Sequence, residues 1–215
     1  MEFFSPDGLF YRIISRIGDL FILNILFLIC SLPILTIGAS ATAMYSVLFK
    51  LRRGELGYIS KEFLEAFQKN FKQATIIWSV LLGVGGVLGV DIFYANFIGG
   101  DLGNVLKVCF IFLAILYMSI LSYVFAIQSR FENSIRGTIK ASLYMSIGYL
   151  PITIVIMFLN ILPGFLSYLR AEWFWKIAPI MLVIGIAGIG YICAGMLEYI
   201  FRKHMPKETK KIDKE

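Results

Sequence analysis

The chain has 215 residues, of which 59% are hydrophobic and 16% charged, with a mean hydropathy of +0.80 and a net charge of +6. No soluble core could hide that much apolar surface, so a water-soluble globular domain is excluded and lipid is the expected solvent. The positive charges cluster between apolar runs and form no basic stripe with interleaved aromatics, which excludes a nucleic-acid-binding module.

Residues 2–19 read as a short amphipathic helix on the membrane surface, with Ser5, Pro6 and Asp7 as a start signal. Residues 20–49 carry no charge, and the run is closed by Lys50, Arg52 and Arg53. It exceeds the roughly 20 residues needed to cross a bilayer core and is too long for a cleavable signal peptide. Its middle is broken: Pro33 removes a backbone hydrogen bond, and Gly38 adds a second weak point. Ser31, Thr36, Ser40 and Thr42 offer hydroxyls to the freed carbonyls. Two readings follow, a packed kink or a broken segment lining a solute path. A single kinked crossing is preferred over a run that doubles back between Pro33 and Gly38, because each arm of the latter is short for a full crossing.

Residues 50–73 form an amphipathic helix in which Ile59, Phe63, Phe67 and Phe71 recur every four residues among charges. Such a stripe suits either the lipid interface or a docked partner. The second span covers 74–98, with Gly85 and Gly89 as a close-packing face. Asp91 is its one acid, and Lys107 near the start of the third span is its expected ion-pair partner. A carboxylate touching solute or ion is the alternative. A turn at 99–104 leads to the third span at 105–127. Residues 128–142 make a second amphipathic piece, with Phe131, Ile135 and Ile139 among Arg130, Glu132, Arg136 and Lys140. The fourth span runs from 143 to 162 with Pro151 as an internal bend. Residues 163–176 form an aromatic loop, and 177–201 form the fifth span with Gly190 and Ala194 as a packing pair. The tail at 202–215 is charged.

Lys and Arg number six in 50–73, none in 99–104, three in 128–142, two in 163–176 and six in the tail. By the positive-inside rule the two amphipathic segments and the C-terminus are cytoplasmic, and a single crossing of the first run leaves the N-terminus outside. The expected product is an all-α polytopic transmembrane bundle of about five spans with two cytoplasmic amphipathic helices. It forms one integral membrane domain over 1–201. The pattern of span, cytoplasmic helix and span occurs twice, as a weak internal repeat.

Chemistry is sparse. The single His204 lies in the tail, and Cys30, Cys109 and Cys193 lie far apart inside apolar runs. Neither a metal site nor a disulfide framework is expected. No phosphate-binding glycine loop, HExxH or GxSxG is present, and Glu198 is expected to pair with Arg202 one turn on. No enzyme activity and no cofactor are expected.

Glu132, Gly137 five residues later and Leu150-Pro151 near the next span resemble the cytoplasmic coupling loop of ABC importer permeases. Asn133 and Ser134 replace alanines there, and Gly137 comes one place early. More broadly, SLPILTIGASATAMY, FLEAFQKNFKQATIIW and RFENSIRGTIKASL followed by LP resemble the YesL family over nearly the whole chain. That resemblance implies a multi-span bacterial inner-membrane protein, often encoded beside carbohydrate ABC importers and two-component regulators, with no established biochemical role. The expectation is an accessory or permease-like subunit of a carbohydrate importer, with Phe63, Phe67, Phe71, Glu132, Ile135 and Ile139 docking a permease or ATPase partner. The alternatives are a membrane adaptor for a histidine kinase, and an autonomous carrier or channel that forms a homo-oligomer.

Overall fold

The computed structural model describes residues 9–98 and 100–204. The start signal at Ser5-Pro6-Asp7, the turn residue Gly99 and the tail beyond residue 204 lie outside the described residues. Every regular element among the described residues is helical: α1 Leu9–Cys30, a 3-10 turn Ile34–Thr36, α2 Ile37–Arg53, α3 Ile59–Ala95, α4 Gly100–Arg130, α5 Ile135–Gly148, α6 Leu150–Leu169, α7 Ala171–Ile180, a π-helical segment Met181–Gly185, and α8 Ile186–His204. Among the described residues, five helical stretches are long and apolar enough to span a membrane: Ile34–Arg53, Ile59–Ala95, Gly100–Arg130, Leu150–Leu169 and Glu172–Lys203.

The first apolar run does not cross once. α1 continues unbroken through Asp19 and Leu20 to Cys30, and the chain then reverses at Ser31–Thr36. The Arg16 guanidinium donates to the Leu51 carbonyl at 2.6 Å, so the start of α1 returns to the end of α2. The two arms are antiparallel. Neither arm is short, because residues assigned by pattern to a surface helix belong to α1, whose 22 residues cover about 33 Å. The start of α1 therefore lies at the same end of the bundle as the ends of α2 and α8.

Thr36 makes the reversal tolerable. Its hydroxyl is within donating distance of the Cys30 carbonyl at 2.6 Å, freed where α1 ends, and of the Pro33 carbonyl at 2.7 Å, which also accepts the Thr36 amide at 2.9 Å. The Trp78 indole donates to the Ile34 carbonyl at 2.7 Å and closes the turn against α3. Gly38 is not a weak point but a contact. A Cβ there would come within 2.5 Å of the Trp78 Cβ and 2.7 Å of the Ala74 carbonyl oxygen. At its other end α2 stops where Gly54 takes φ +75 and its N–H, with that of Glu55, satisfies the last carbonyls.

The aromatic-striped segment and the second span are one helix. α3 has 37 residues, about 55 Å, so its charged first turns extend beyond a 30 Å hydrocarbon core. The predicted fourth span is instead divided. α5 runs back along α4 through the Thr138–Gln128 hydrogen bond, and the chain breaks at Tyr149, where Pro151 starts α6 in its first turn. Thr153 secures this break by donating to the carbonyls of Ser146 and Tyr149 and bonding the buried Tyr123 hydroxyl at 2.8 Å. The aromatic stretch 163–176 is likewise helical, with Pro163 inside α6 and a joint at Arg170.

The core gathers in the half of the bundle that contains the ends of α2 and α8. Leu23, Val47, Leu48, Phe63, Tyr123, Ile127, Ile156, Leu197 and Phe201 are wholly buried there. Gly190 and Ala194 let α8 close on α2: a Cβ at Gly190 would meet Leu48 at 3.1 Å and Met44 at 3.2 Å. By contrast, the far halves of α3 and α4 stand clear as a hairpin, tied by the Tyr117 hydroxyl to the Leu81 carbonyl beside Gly85.

Candidate functional site

The charged end of the bundle holds a polar cleft of about 640 Å³ between α2, the first turns of α3 and the loop after α4. Three cations line it, Lys50, Lys69 and Arg130, against three carboxylates, Glu62, Glu65 and Glu132. Lys50 pairs with Glu62 on one wall. Across the mouth, Lys69 Nζ meets Glu132 Oε1 at 2.9 Å, and the Gln73 amide donates to the Asn133 carbonyl at 2.6 Å. The Lys69 hydrogen bond and charge hold the Glu132 carboxyl below the usual carboxylate range. Both partners of this outer pair are largely exposed, so water and salt screen it and it is free to open.

Beneath the cleft lies a buried junction centred on Glu198, which is 7% exposed. Arg202 reaches it at 3.4 Å, as the one-turn spacing predicts. Arg52 from α2 at 3.6 Å and Arg130 from α4 at 3.8 Å join it as well. The Arg130 guanidinium also covers the Phe49 ring at 5.6 Å. A single carboxylate thus ties three helices, α2, α4 and α8, by charge-assisted contacts. Sequence spacing found only the pair within one helix. The other two arginines close their helices, and nothing in the chain order says that these ends converge.

A second buried polar joint was also missed. Asn24 is fully buried in α1, donates to the carbonyls of Met181 at 3.0 Å and Leu182 at 2.7 Å, and accepts from the Ala187 amide at 2.9 Å. Those acceptors lie in the π-helical segment, whose wider turns leave carbonyls free for a side chain. Asn24 is the one amide in the uncharged run 20–49, which was the available signal.

The predicted docking residues separate. Phe63 is wholly buried in the core, so the aromatic stripe is not a free docking face at that position. Phe67 packs half-buried against the core, between Phe63 and Phe71, and Phe71 alone of the three is exposed. Ile135 packs on the cluster around Ile77 and Phe125, and Ile139 is half-buried. Glu132 is exposed at the cleft mouth. A coupling helix would lie across the membrane surface, whereas α5 runs back along α4.

Among the kink residues, Thr36 is satisfied while the buried hydroxyls of Ser31 and Ser40 have no partner among the described residues. Trp78 and Phe125 fill the space beside Gly38, so this part of the break is a packed joint rather than an open path. Asp91 and Lys107 are each half-buried at the far end, and they are not among the ion pairs formed by the described residues. The described residues contain no cluster of three or more His, Cys, Asp or Glu able to hold a metal.

Comparison with known proteins places residues 20–92 in register with a family model described as a protein of unknown function, DUF624. That stretch takes in the chain reversal, α2, and the α2 and α3 walls of the cleft. The chain is also 25% identical over 157 residues to an uncharacterized protein, YteU, of Bacillus subtilis (strain 168), covering 71% of this chain and 69% of that protein. No solved structure matches.

Proposed function

We propose that this multi-pass membrane protein is a non-catalytic subunit of a carbohydrate ABC importer, and that its charged cleft receives a segment of a partner protein. The observation carrying this reading is the balanced set of three cations and three carboxylates around an open cleft, bridged at its mouth by the exposed Lys69–Glu132 pair and the Gln73–Asn133 hydrogen bond. A cleft for a free anion or cation favours one sign, whereas mixed signs suit a polar protein surface. The importer setting is what the resemblance of SLPILTIGASATAMY and FLEAFQKNFKQATIIW to the YesL family implies. With no cytoplasmic side assigned by the fold itself, the excess of Lys and Arg at this end supports its facing the cytoplasm, where an ATPase partner resides.

The test is a photo-crosslinking amino acid at Glu65, exposed on the cleft rim, in cells carrying the native membrane system. Adducts with an importer permease or ATPase, reduced by Lys69→Glu, are expected. A histidine kinase as the adduct would replace this reading with the adaptor. Adducts only with copies of the chain itself would overturn both.

A further inference from the structure

A second recess lies on the side of the bundle, away from the cleft mouth. It has a volume of about 460 Å³ and is lined by Arg52, Tyr191, Tyr199, Ile152, Ile192 and Met196. Its wall is aliphatic and aromatic apart from one guanidinium at its end. Arg52 is held in place rather than loose: it stacks on the Tyr191 ring at 4.8 Å, donates Nη1 to the Tyr191 carbonyl at 3.3 Å, and faces Glu198 through Nε. Gly195 makes room for this, since a Cβ there would come within 2.6 Å of the Arg52 Cζ. The guanidinium is about one-third exposed and keeps Nη2 for another acceptor.

Among the described residues, Arg52 and Arg202 share the single carboxylate of Glu198, and Lys203 stands one residue further over the Tyr149 ring, so positive charge is in excess beside the recess. An anion beside Arg52 relieves that surplus. The position selects the kind of anion. Arg52 closes α2 and Tyr199 lies within the last turns of α8, so the polar end of the recess is at headgroup depth. Exposed Ile192 and half-buried Ile152 and Met196 continue it toward the membrane interior. Tyr199 suits the interfacial level, and Tyr191, eight residues or about 12 Å deeper along α8, is the ring on which Arg52 stacks. Arginine forks match phosphate oxygens, and basic recesses between spans at the membrane surface hold acidic headgroups.

We propose that this recess binds one anionic phospholipid from the leaflet at the charged end, with its phosphate on Arg52 and an acyl chain along Ile192 and Met196. The site is independent of the cleft and of the partner assigned to it.

Native mass spectrometry of the full-length protein released from nanodiscs of equal phosphatidylglycerol and phosphatidylcholine tests the assignment. One retained phosphatidylglycerol is expected, with Arg52→Gln lowering its retention about fivefold. Arg52→Gln also touches the Glu198 junction, so Ile192→Trp supplies a second variant that fills the recess and leaves every charge in place. It is expected to lower retention similarly. Lys72→Gln, an exposed charge-matched control on α3, is expected to retain the lipid. Equal retention of the two lipids by the unmodified protein, or undiminished retention in Ile192→Trp, overturns the site. Displacement of the lipid by millimolar glycerol phosphate would assign the site to a free phosphate and overturn the lipid.

Discussion

Glu198 in α8 is almost fully buried and faces three arginines, whereas Asp91 in α3 is half-buried and meets no cation among the described residues. Both are acids in helices that otherwise suit lipid. The difference lies in where the helices converge. At Glu198 the ends of α2, α4 and α8 close on one another, water is excluded, and a lone carboxylate would carry several kcal/mol of desolvation. Asp91 lies on a hairpin that stands apart from the core. Measured from Lys72 at the charged end, it is 91 − 72 = 19 residues along α3, about 28 Å, close to the thickness of a hydrocarbon core. By that spacing its carboxylate is expected at the opposite headgroup level, where water would satisfy it. Lys107 is 130 − 107 = 23 residues from Arg130 along α4, about 34 Å, and lies at the same far end. An acid in a span therefore demands a protein partner only where protein rather than solvent surrounds it.

The largest expected effect tests that contrast directly. Glu198→Gln leaves three arginines around a neutral group and should destabilise the protein by about 3–5 kcal/mol, seen as a large fall in melting temperature in mild detergent. Asp91→Asn should shift the same melt by less than about 0.5 kcal/mol. Equal shifts in the two variants would mean that burial does not separate the two acids.

Glycine replacement draws the same line through packing. Gly38→Ala forces a methyl into Trp78 and the Ala74 carbonyl and should cost up to about 3 kcal/mol. Gly86→Ala on the free hairpin meets nothing within 4 Å and should be neutral or stabilising by up to about 1 kcal/mol. Melting of the two variants side by side checks this. A costly Gly86→Ala would mean that the free hairpin is covered by another protein chain. Asn24→Leu falls between them. It removes three hydrogen bonds, each worth about 0.6 kcal/mol inside a membrane, for a total of about 2 kcal/mol. An unchanged melt would mean that the π-helical segment does not depend on Asn24.

Periodicity and composition made the helices legible, because a charge-free run longer than a bilayer is thick has few other solutions. Boundaries failed where a side chain outside the pattern decided them. The reversal after Cys30 depends on the Thr36 hydroxyl, and the break at Tyr149 depends on Thr153, neither of which changes the hydropathy of its run. The candidate site was half legible. Spacing singles out Glu132, which the structure sets against Lys69, whereas the α3 charges read only as the polar face beside the aromatic stripe. Phe63 was misread because a four-residue aromatic stripe looks the same whether it meets lipid, a partner or the protein's own core. Arg52 and Arg130 were unreadable as a pair with Glu198, since their meeting depends on three helix ends that sequence order leaves unrelated.

The smallest expected effect concerns the closure of the cleft. Glu132 has its carboxyl held below the usual range first by the hydrogen bond from Lys69 and then by that lysine's charge. Because the folded value is the lower one, the pair is fully formed above the ordinary glutamate value and is lost only as pH falls through the depressed folded value. The cleft is therefore clasped at neutral pH, and a partner must supply its own charges to replace the clasp rather than wait for protonation. Carbon-13 carboxyl NMR on labelled protein in detergent should show Glu132 titrating below the normal range. Lys69→Ala should return it toward that range, and high salt should weaken the depression, because both side chains are exposed. A Glu132 midpoint that does not move in Lys69→Ala would remove the clasp, leaving the cleft open at all pH values and its occupancy governed by the partner alone.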